Sequence, residues 1–338
     1  MEKRRKASIL TALALAAAML AGAACSAPAS DADDKTVQSL VIAQQPDRTR
    51  YIEGESFDPD GTVIDANLKD GSVQENVPYQ VECSDPLTAK DYRVVFSYGG
   101  KSVALNLEID RLGNSGEYAV ANTPSLESSP LESKTYFFLG SSVTLGARSG
   151  GESMADYIAK RNGAVCIKEA VEGTTLMDNG GDSYVQRLNR YIANPDRAQH
   201  LDAFICQLST NDIKHPDNFG TVTPGEQTDP ASFDTSTSFG ALEYIIATVR
   251  QTWGCPVIVY TNPDFGNENY ETMLTLLDQV QAKWGVSVID LYRDVDFNAI
   301  TSEQESLYMY DTTHPTKAGY RDWWTPRFEE MLLSLAET

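Results

Sequence analysis

The sequence predicts an α/β domain, built on a parallel sheet with helices on both faces, preceded by a small all-β sandwich. Two observations predict this architecture. From residue 134 onward, short apolar runs typical of buried strands alternate with segments of helical periodicity. Between residues 36 and 110, short β-rich runs are instead separated by Gly and Asp turns, which is typical of a sandwich.

The chain begins with an export signal. Four basic residues at positions 3–6 precede the apolar stretch Ile9–Leu20, and small residues then lead to Cys25. The stretch is short for a transmembrane span, so residues 1–24 are predicted to be a secretory signal peptide. A cysteine directly after small residues resembles a bacterial lipobox, which would place a lipid on Cys25, although Gly22 stands where Leu is usual. The alternative is cleavage nearby and a secreted, soluble protein.

The formal net charge of the 338-residue chain is −21. This acidity argues against nucleic acid as a partner and against electrostatic attraction to anionic lipid. Membrane contact is therefore expected only through a lipid on Cys25, whereas a neutral glycan is compatible with the charge. The other four cysteines lack metal-ligand spacing, and although export permits a disulfide, we expect free buried thiols: Cys83, Cys166, Cys206 and Cys255.

Residues 25–35 are rich in Ser, Ala, Pro and Asp and are predicted to be a flexible tether. The turns at Tyr51–Glu55 and Lys69–Gly71 resemble those of bacterial immunoglobulin-like domains on surface proteins. This resemblance implies a spacer or packing partner over residues 36–110, or a weak binder of sugar or cell wall. The predicted strands are Val37–Ala43, Thr62–Leu68, Tyr79–Cys83, Tyr92–Tyr98 and Val103–Ile109.

Residues 111–133 carry Gly, Asn, Ser and Pro and are predicted to be a connector, with an edge strand at Tyr118–Val120. The α/β domain is predicted to span residues 134–338. Its strands are Tyr136–Leu139, Ala164–Lys168, Ala203–Leu208, Val257–Thr261 and Val286–Leu291. Its helices are Met154–Arg161, Tyr184–Ile192, Phe239–Trp253, Tyr270–Trp284 and Lys317–Leu335.

The first of these strands stops at Gly140, and Ser141 and Ser142 follow. In open α/β sheets, ligands bind and chemistry occurs at the carboxyl ends of the strands. We therefore hypothesise that Ser142 is a nucleophile. An ordinary turn between strand and helix is the alternative if this motif is taken alone.

A nucleophilic serine needs a base, and the chain holds three histidines. His200 precedes a strand and so lies at the wrong end of the sheet, whereas His215 lies on a long loop and stays open as a candidate. His314 follows Asp311 by three residues, a spacing that lets the carboxylate orient the imidazole and stabilise its charged form. A helix-capping Asp beside a surface His is the alternative.

Acyl transfer also needs hydrogen-bond donors for the developing oxyanion. Gly173 follows the second strand and can present a backbone N–H without a side chain in the way. Asn211 follows the third strand and offers a side-chain amide. A turn glycine and an Asx turn are the alternatives.

Together these blocks resemble the SGNH (GDSL-type) hydrolases over residues 134–338. The resemblance implies a flavodoxin-like three-layer αβα sandwich, with Ser142 as nucleophile, Asp311 and His314 as the base pair, and no metal or organic cofactor. It implies an oxyanion hole made by Ser142, Gly173 and Asn211. Ser141 and Ser209 depart from the family pattern, which has Asp and Gly there.

The sequence therefore predicts a cell-envelope serine esterase that removes acetyl or other short acyl groups, plausibly from carbohydrate. A lipid or aryl esterase of the same fold is one alternative, and a glycan-binding surface protein with little turnover is another. The loop Lys214–Asp234 is expected to wall or cover the acyl pocket.

Overall fold

The computed structural model describes residues 34–90 and 92–336, so the predicted signal peptide, Cys25 and most of the tether lie outside the described residues. The described chain divides into two compact units. The first holds the residues up to Gln45 together with Gly61–Val81 and Val95–Ala104. The second holds Pro46–Asp60, Glu82–Val94 and the residues from Leu105 onward.

The β-rich segment contains more strands than the sequence predicts. The strands in the described part of this segment are Val37–Gln44 (β1), Arg50–Ile52 (β2), Val63–Leu68 (β3), Val73–Gln74 (β4), Gln80–Glu82 (β5), Arg93–Tyr98 (β6), Lys101–Asn106 (β7) and Glu108–Asp110 (β8). Strands β1 and β3 pair antiparallel, as do β3 and β4, while β2 and β8 pair in parallel. A further sheet has the order β5-β6-β7.

The edge strand predicted at Tyr118–Val120 is wrong. The segment forms single 3₁₀ turns at Gly116–Tyr118 and Val120–Asn122. Its backbone bonds are local, such as the Tyr118 N–H to the Ser115 carbonyl at 3.1 Å. The Tyr118 carbonyl instead accepts from the Tyr157 hydroxyl at 2.9 Å. Because these groups are already satisfied, none is left for a strand partner.

The predicted parallel sheet is confirmed. Its strands are Thr135–Gly140 (β9), Val165–Ala170 (β10), Ala203–Gln207 (β11), Val257–Tyr260 (β12) and Ser287–Ile289 (β13). They lie in the order β10-β9-β11-β12-β13, and every neighbouring pair is parallel. The chain leaves β9 toward one edge and then returns to its other side for β11. This reversal makes the carboxyl ends of β9 and β11 the point where a ligand crevice opens.

Helices cover both faces of this sheet. Tyr136 and Phe138 pack into one apolar cluster, whereas Phe137 and Leu139 pack into another, as the two-residue period of a strand requires. The predicted fold class is therefore confirmed. The helices are Ser142–Leu145 (α1), Met154–Asn162 (α2), Tyr184–Ala193 (α3), Ser238–Trp253 (α4), Glu268–Trp284 (α5), Val295–Asn298 (α6), Ser302–Tyr308 (α7) and Thr325–Ala336 (α8).

The last predicted helix, Lys317–Leu335, is not one regular helix. A π-helical turn at Gly319–Trp324 precedes α8. Pro326 at the start of α8 has no N–H to donate to the preceding turn, so the regular hydrogen-bond ladder is interrupted there.

The four cysteines of the described residues are free thiols. Cys206 and Cys255 are buried as predicted, and burial raises the pKa of both. Cys83 and Cys166 are only half-buried. Across residues 34–90 and 92–336, none of the helices combines the length and apolar character needed to span a bilayer.

Candidate active site

Ser142 opens α1 two residues after the end of the interior strand β9 and is 5% exposed. The turn that presents it depends on glycine at both ends. A Cβ on Gly140 would overlap the Thr144 side chain. Gly146 has a left-handed φ of 79° and closes α1 by donating to the Ser142 carbonyl at 3.0 Å. The serine is therefore held rigidly at the carboxyl edge of the sheet.

Ser142, His314 and Asp311 form a continuous chain of hydrogen bonds. Ser142 Oγ lies 2.8 Å from His314 Nε2, and His314 Nδ1 lies 2.9 Å from each carboxylate oxygen of Asp311. A carboxylate accepts hydrogen bonds, so Nδ1 carries the proton and Nε2 is left to accept from the serine hydroxyl. The structure thus brings Ser142 against His314, which lies 172 positions later in the sequence, with Asp311 on the other side of the imidazole.

The Asp311 carboxylate stays ionised at neutral pH. Partial burial raises its pKa, but hydrogen bonds from the Thr313 and His314 amides and from the His314 ring outweigh this effect. The net result is a pKa below the usual value for an aspartate. An anionic Asp311 can therefore stabilise an imidazolium on His314.

The turn that carries Asp311 and His314 is closed by short-range pairing. The Tyr310 N–H donates to the His314 carbonyl at 2.8 Å, and the Thr316 N–H donates to the Tyr308 carbonyl at 2.8 Å. Asn262, just after β12, donates its side-chain amide to the Thr313 carbonyl at 3.0 Å. Sequence reasoning missed Asn262, whose signal was its place at the end of a predicted strand.

Gly173 lies on the loop that follows β10. Its φ is 77°, a left-handed conformation that favours glycine, and a Cβ there would meet no atom within 4 Å. Gly173 is exposed, and its loop lies beside the serine-bearing turn, because the Val171 N–H donates to the Gly140 carbonyl at 3.4 Å. This environment fits an amide that receives a ligand oxygen.

Asn211 does not cap its own turn, the alternative that the sequence left open. Its side-chain Nδ2 donates to the Thr174 carbonyl at 2.9 Å, and its backbone N–H donates to Ser209 Oγ at 3.1 Å. One of the two amide hydrogens is thus used to orient the side chain, and the second can serve a ligand oxygen. The bond also ties Asn211 to the loop of Gly173.

Asp212 links the loop that carries Asn211 to the loop that carries Gly173. Its carboxylate accepts from the Leu176 N–H at 2.9 Å, the Met177 N–H at 3.2 Å and Ser238 Oγ at 2.6 Å. Burial raises the pKa of this carboxyl, and the hydrogen bonds oppose that shift. Asp212 is fully buried and so supports the loops that carry Gly173 and Asn211 rather than reaching a ligand.

Gln207 is a buried support under the serine turn that sequence reasoning missed. Its Oε1 accepts from the Ser141 N–H at 2.8 Å and from the hydroxyls of Thr144 at 3.0 Å and Tyr184 at 3.3 Å. Ser141 Oγ also lies 3.1 Å from this oxygen. Ser141, which stands where the family has Asp, therefore points into this buried network. A polar residue in an otherwise apolar strand was the only sequence signal.

Arg187 on α3 is a second support that the sequence did not reveal. It is 1% exposed and donates to the Gly140 carbonyl at 2.7 Å, to the Glu169 carbonyl at 2.5 Å and to Thr174 Oγ1 at 3.2 Å. It thus links the ends of β9 and β10 to the loop that carries Gly173.

The other two histidines lie apart from this arrangement. His200 is exposed, with Nε2 3.6 Å from the Asp202 carboxylate at the amino end of β11. His215 is exposed, and its backbone N–H donates to the Asp212 carbonyl at 2.8 Å. Phe219 and Phe233 of the loop Lys214–Asp234 are buried in the apolar cluster that contains Phe137 and Leu139. That this loop walls or covers the acyl pocket stays a prediction. Among the described residues, no group of His, Cys, Asp or Glu is placed to hold a metal ion.

We expect Asn211→Ala to lower kcat by about 10²–10³, or ~3–4 kcal/mol, because one oxyanion donor is lost while charge develops. KM should change less. Asn211→Asp should do at least as badly, because it adds a negative charge and places an acceptor against the Thr174 carbonyl. Steady-state kinetics and thermal midpoints on both variants test this. A near-wild-type Asn211→Asp enzyme would show that Asn211 only shapes its loop.

Two family models match the chain. The model of the GDSL-like lipase/acylhydrolase family matches residues 138–321, more than half of the chain. The model of the bacterial Ig-like domain (group 3) matches residues 44–109. No curated protein matches the chain at a significant level.

Several solved structures are similar to this chain. A protein from Lactobacillus plantarum is 22% identical, covering 60% of this chain and 98% of that chain, with a TM-score of 0.48. A member of the lipolytic G-D-S-L family from Veillonella parvula is 15% identical, covering 59% and 97%, with a TM-score of 0.43. A variant of an acetyl-xylooligosaccharide esterase from Geobacillus is 13% identical, covering 60% and 96%, with a TM-score of 0.41.

Proposed function

The chain belongs to the GDSL-like lipase/acylhydrolase family, and on this basis we propose that it is a cell-envelope serine esterase that removes acetyl or other short acyl groups from carbohydrate. The family membership supports hydrolysis of ester bonds. The observation that carries the serine mechanism is the unbroken hydrogen-bond chain from Ser142 through His314 to Asp311.

In the acylation step, Ser142 Oγ attacks the ester carbonyl and His314 Nε2 takes the serine proton. The carbonyl oxygen becomes an oxyanion, held by the N–H groups of Ser142 and Gly173 and by Asn211 Nδ2. The tetrahedral intermediate collapses as His314 returns the proton to the leaving alcohol. An acyl group then remains on Ser142.

Water completes the reaction by the same groups in reverse order. His314 removes a proton from the water as it attacks the acyl-enzyme, and the oxyanion donors act again. His314 then protonates Ser142 Oγ as the free acid leaves. Asp311 stays a carboxylate throughout and stabilises the imidazolium in both steps.

The proposed location and substrate follow from the sequence and the Ig-like segment. The basic and apolar start of the chain and Cys25 support export and lipid attachment. The net charge of −21 favours a neutral substrate over an anionic one. Export and an Ig-like segment suit a glycan ester at the cell surface.

A panel of p-nitrophenyl esters, from acetate through butyrate and octanoate to laurate, tests the acyl specificity. We expect kcat/KM to be highest for acetate or butyrate and to fall by about ten-fold or more at octanoate, on the order of 1.4 kcal/mol. Acetate release from acetylated oligosaccharides should accompany this profile, and Ser142→Ala is the control. A maximum at octanoate or laurate would favour the lipid esterase instead.

A further inference from the structure

A cleft of about 580 Å³ opens in the second unit, within the range typical of small-ligand sites. One wall is the parallel pair of β2 and β8, in which Arg50 is the register partner of Glu108. The other wall is made by Ala147, Arg148 and Gly150 together with Tyr310. The mechanism above uses none of these residues.

The cleft adjoins each part of the serine site. The Ala147 N–H donates to the Ser142 carbonyl at 3.0 Å. Arg148 pairs with Glu172 at 3.1 Å, and Glu172 directly precedes Gly173. Tyr310 directly precedes Asp311. The cleft therefore lies beside the segments that carry Ser142, Gly173 and Asp311.

Hydrogen bonds of Asn114 and Arg111 join the two walls. Asn114, which is 6% exposed, donates its side-chain amide to Asp110 at 2.8 Å and to the Arg148 carbonyl at 2.7 Å. Asp110 belongs to one wall and Arg148 to the other, so Asn114 bridges them. Arg111 also donates to the Tyr310 carbonyl at 3.3 Å. A cleft braced in this way loses little freedom when a ligand binds.

The charges in the cleft offset one another. Arg50 pairs with Glu108 at 2.7 Å, Arg148 pairs with Glu172, and Arg48 pairs with Glu55. A polyanion would have to displace these carboxylates. The guanidinium and carboxylate groups of these exposed pairs are planar and still have unused N–H groups and lone pairs. Such groups can hydrogen-bond to the vicinal hydroxyls of a sugar.

The apolar side chains that line the cleft are largely covered by their neighbours. Ile52 and Ile109 line it but are only half-exposed, and the Tyr51 ring is 2% exposed. Tyr310 is 37% exposed and offers a rigid ring with a polar end. An aromatic face beside planar hydrogen-bonding groups fits a sugar ring better than a lipid.

We propose that this cleft is a subsite for a neutral oligosaccharide, which it holds while the acyl group of the same molecule lies at Ser142. This inference rests on the proposed esterase function. It identifies the oligosaccharide as the alcohol that leaves when Ser142 is acylated. Arg50, Arg148 and Tyr310 are the specificity-determining residues of the subsite.

The test is calorimetric binding to the full chain carrying Ser142→Ala, so that no turnover interferes. The probes are xylohexaose, cellohexaose and mannohexaose as neutral glycans, and hexagalacturonate as an anionic one. We expect at least one neutral hexaose to bind with a Kd of about 1 mM or tighter. Arg50→Ala and Tyr310→Ala should each raise that Kd about ten-fold, whereas Tyr310→Phe should retain binding.

Arg293→Ala is the control for Arg50→Ala, because Arg293 is also an exposed arginine paired with a carboxylate, that of Asp278, and it does not line the cleft. It should leave the Kd unchanged. Arg50 is 81% exposed, so its replacement leaves the fold intact and keeps the test decisive. Tighter binding of hexagalacturonate than of every neutral hexaose overturns the proposal. So does a Kd for the neutral hexaose that is the same in the Arg50→Ala and Tyr310→Ala variants as in the Ser142→Ala parent.

Failure of the subsite and failure of the esterase give different results. An enzyme that hydrolyses aryl acetates but whose Ser142→Ala variant binds none of the neutral hexaoses retains the esterase and overturns the subsite. A chain that binds a neutral hexaose through Arg50 and Tyr310 but releases no acyl group supports the cleft as a carbohydrate site and refutes the esterase.

Discussion

Ser142→Ala is expected to abolish labelling by a fluorophosphonate probe and to lower kcat by about 10⁴ or more, because no other group can form the acyl-enzyme. Ser142 Oγ is the hydroxyl that lies 2.8 Å from His314 Nε2. Gel fluorescence of the labelled protein and p-nitrophenyl acetate kinetics measure the two effects.

Ser141→Ala is the matched control for that experiment. Ser141 is fully buried, and its side chain contacts Gln207 rather than His314. Loss of the Ser141 hydroxyl removes one buried hydrogen bond, so the free energy of unfolding should fall by about 1 kcal/mol. The thermal midpoint should fall accordingly. Labelling should persist. Labelling that survives Ser142→Ala but not Ser141→Ala would move the nucleophile to Ser141.

His314→Ala should lower kcat by roughly 10³ or more, because the serine loses its base and the leaving alcohol loses its acid. KM should change little, since the imidazole acts on the reacting atoms and not on the bound alcohol. Residual activity should rise with pH as hydroxide replaces the missing base. Steady-state kinetics between neutral and alkaline pH measure both effects.

The remaining histidines provide the controls. His215→Ala should act mainly on KM, because His215 is exposed on the loop that follows Asn211. His200→Ala should leave both constants unchanged, because His200 is exposed at the opposite end of the sheet. A loss of kcat at His215 with none at His314 would contradict the assignment of the base.

Patterns confined to a few neighbouring residues were predicted well. The run Tyr136–Leu139 became a central strand because bulky apolar side chains on both faces can be buried only inside a covered sheet. Helix α4 begins after Thr237 and ends before Gly254, as its cap residues require. These signals depend on the local chain alone.

Predictions failed where local propensity and tertiary context disagreed. Tyr118–Val120 has β-forming residues, yet its backbone is satisfied by turns and by the Tyr157 hydroxyl. Strand β2 is only three residues long and exists through its pairing with β8. No short-range pattern encodes a partner more than fifty positions away.

By itself the sequence determined which five segments form the parallel sheet, and it pointed to Ser142, Gly173, Asn211, Asp311 and His314 as candidate site residues, because each follows from a local pattern or a spaced motif. Only the tertiary structure decided how these residues are supported. Gln207 reaches Ser141 across 66 positions because β11 lies beside β9 in the sheet. The two walls of the cleft are likewise joined by contacts distant in sequence, from Asn114 to Arg148 and from Arg111 to Tyr310. Such contacts depend on strand order and packing, which no single segment of the chain contains.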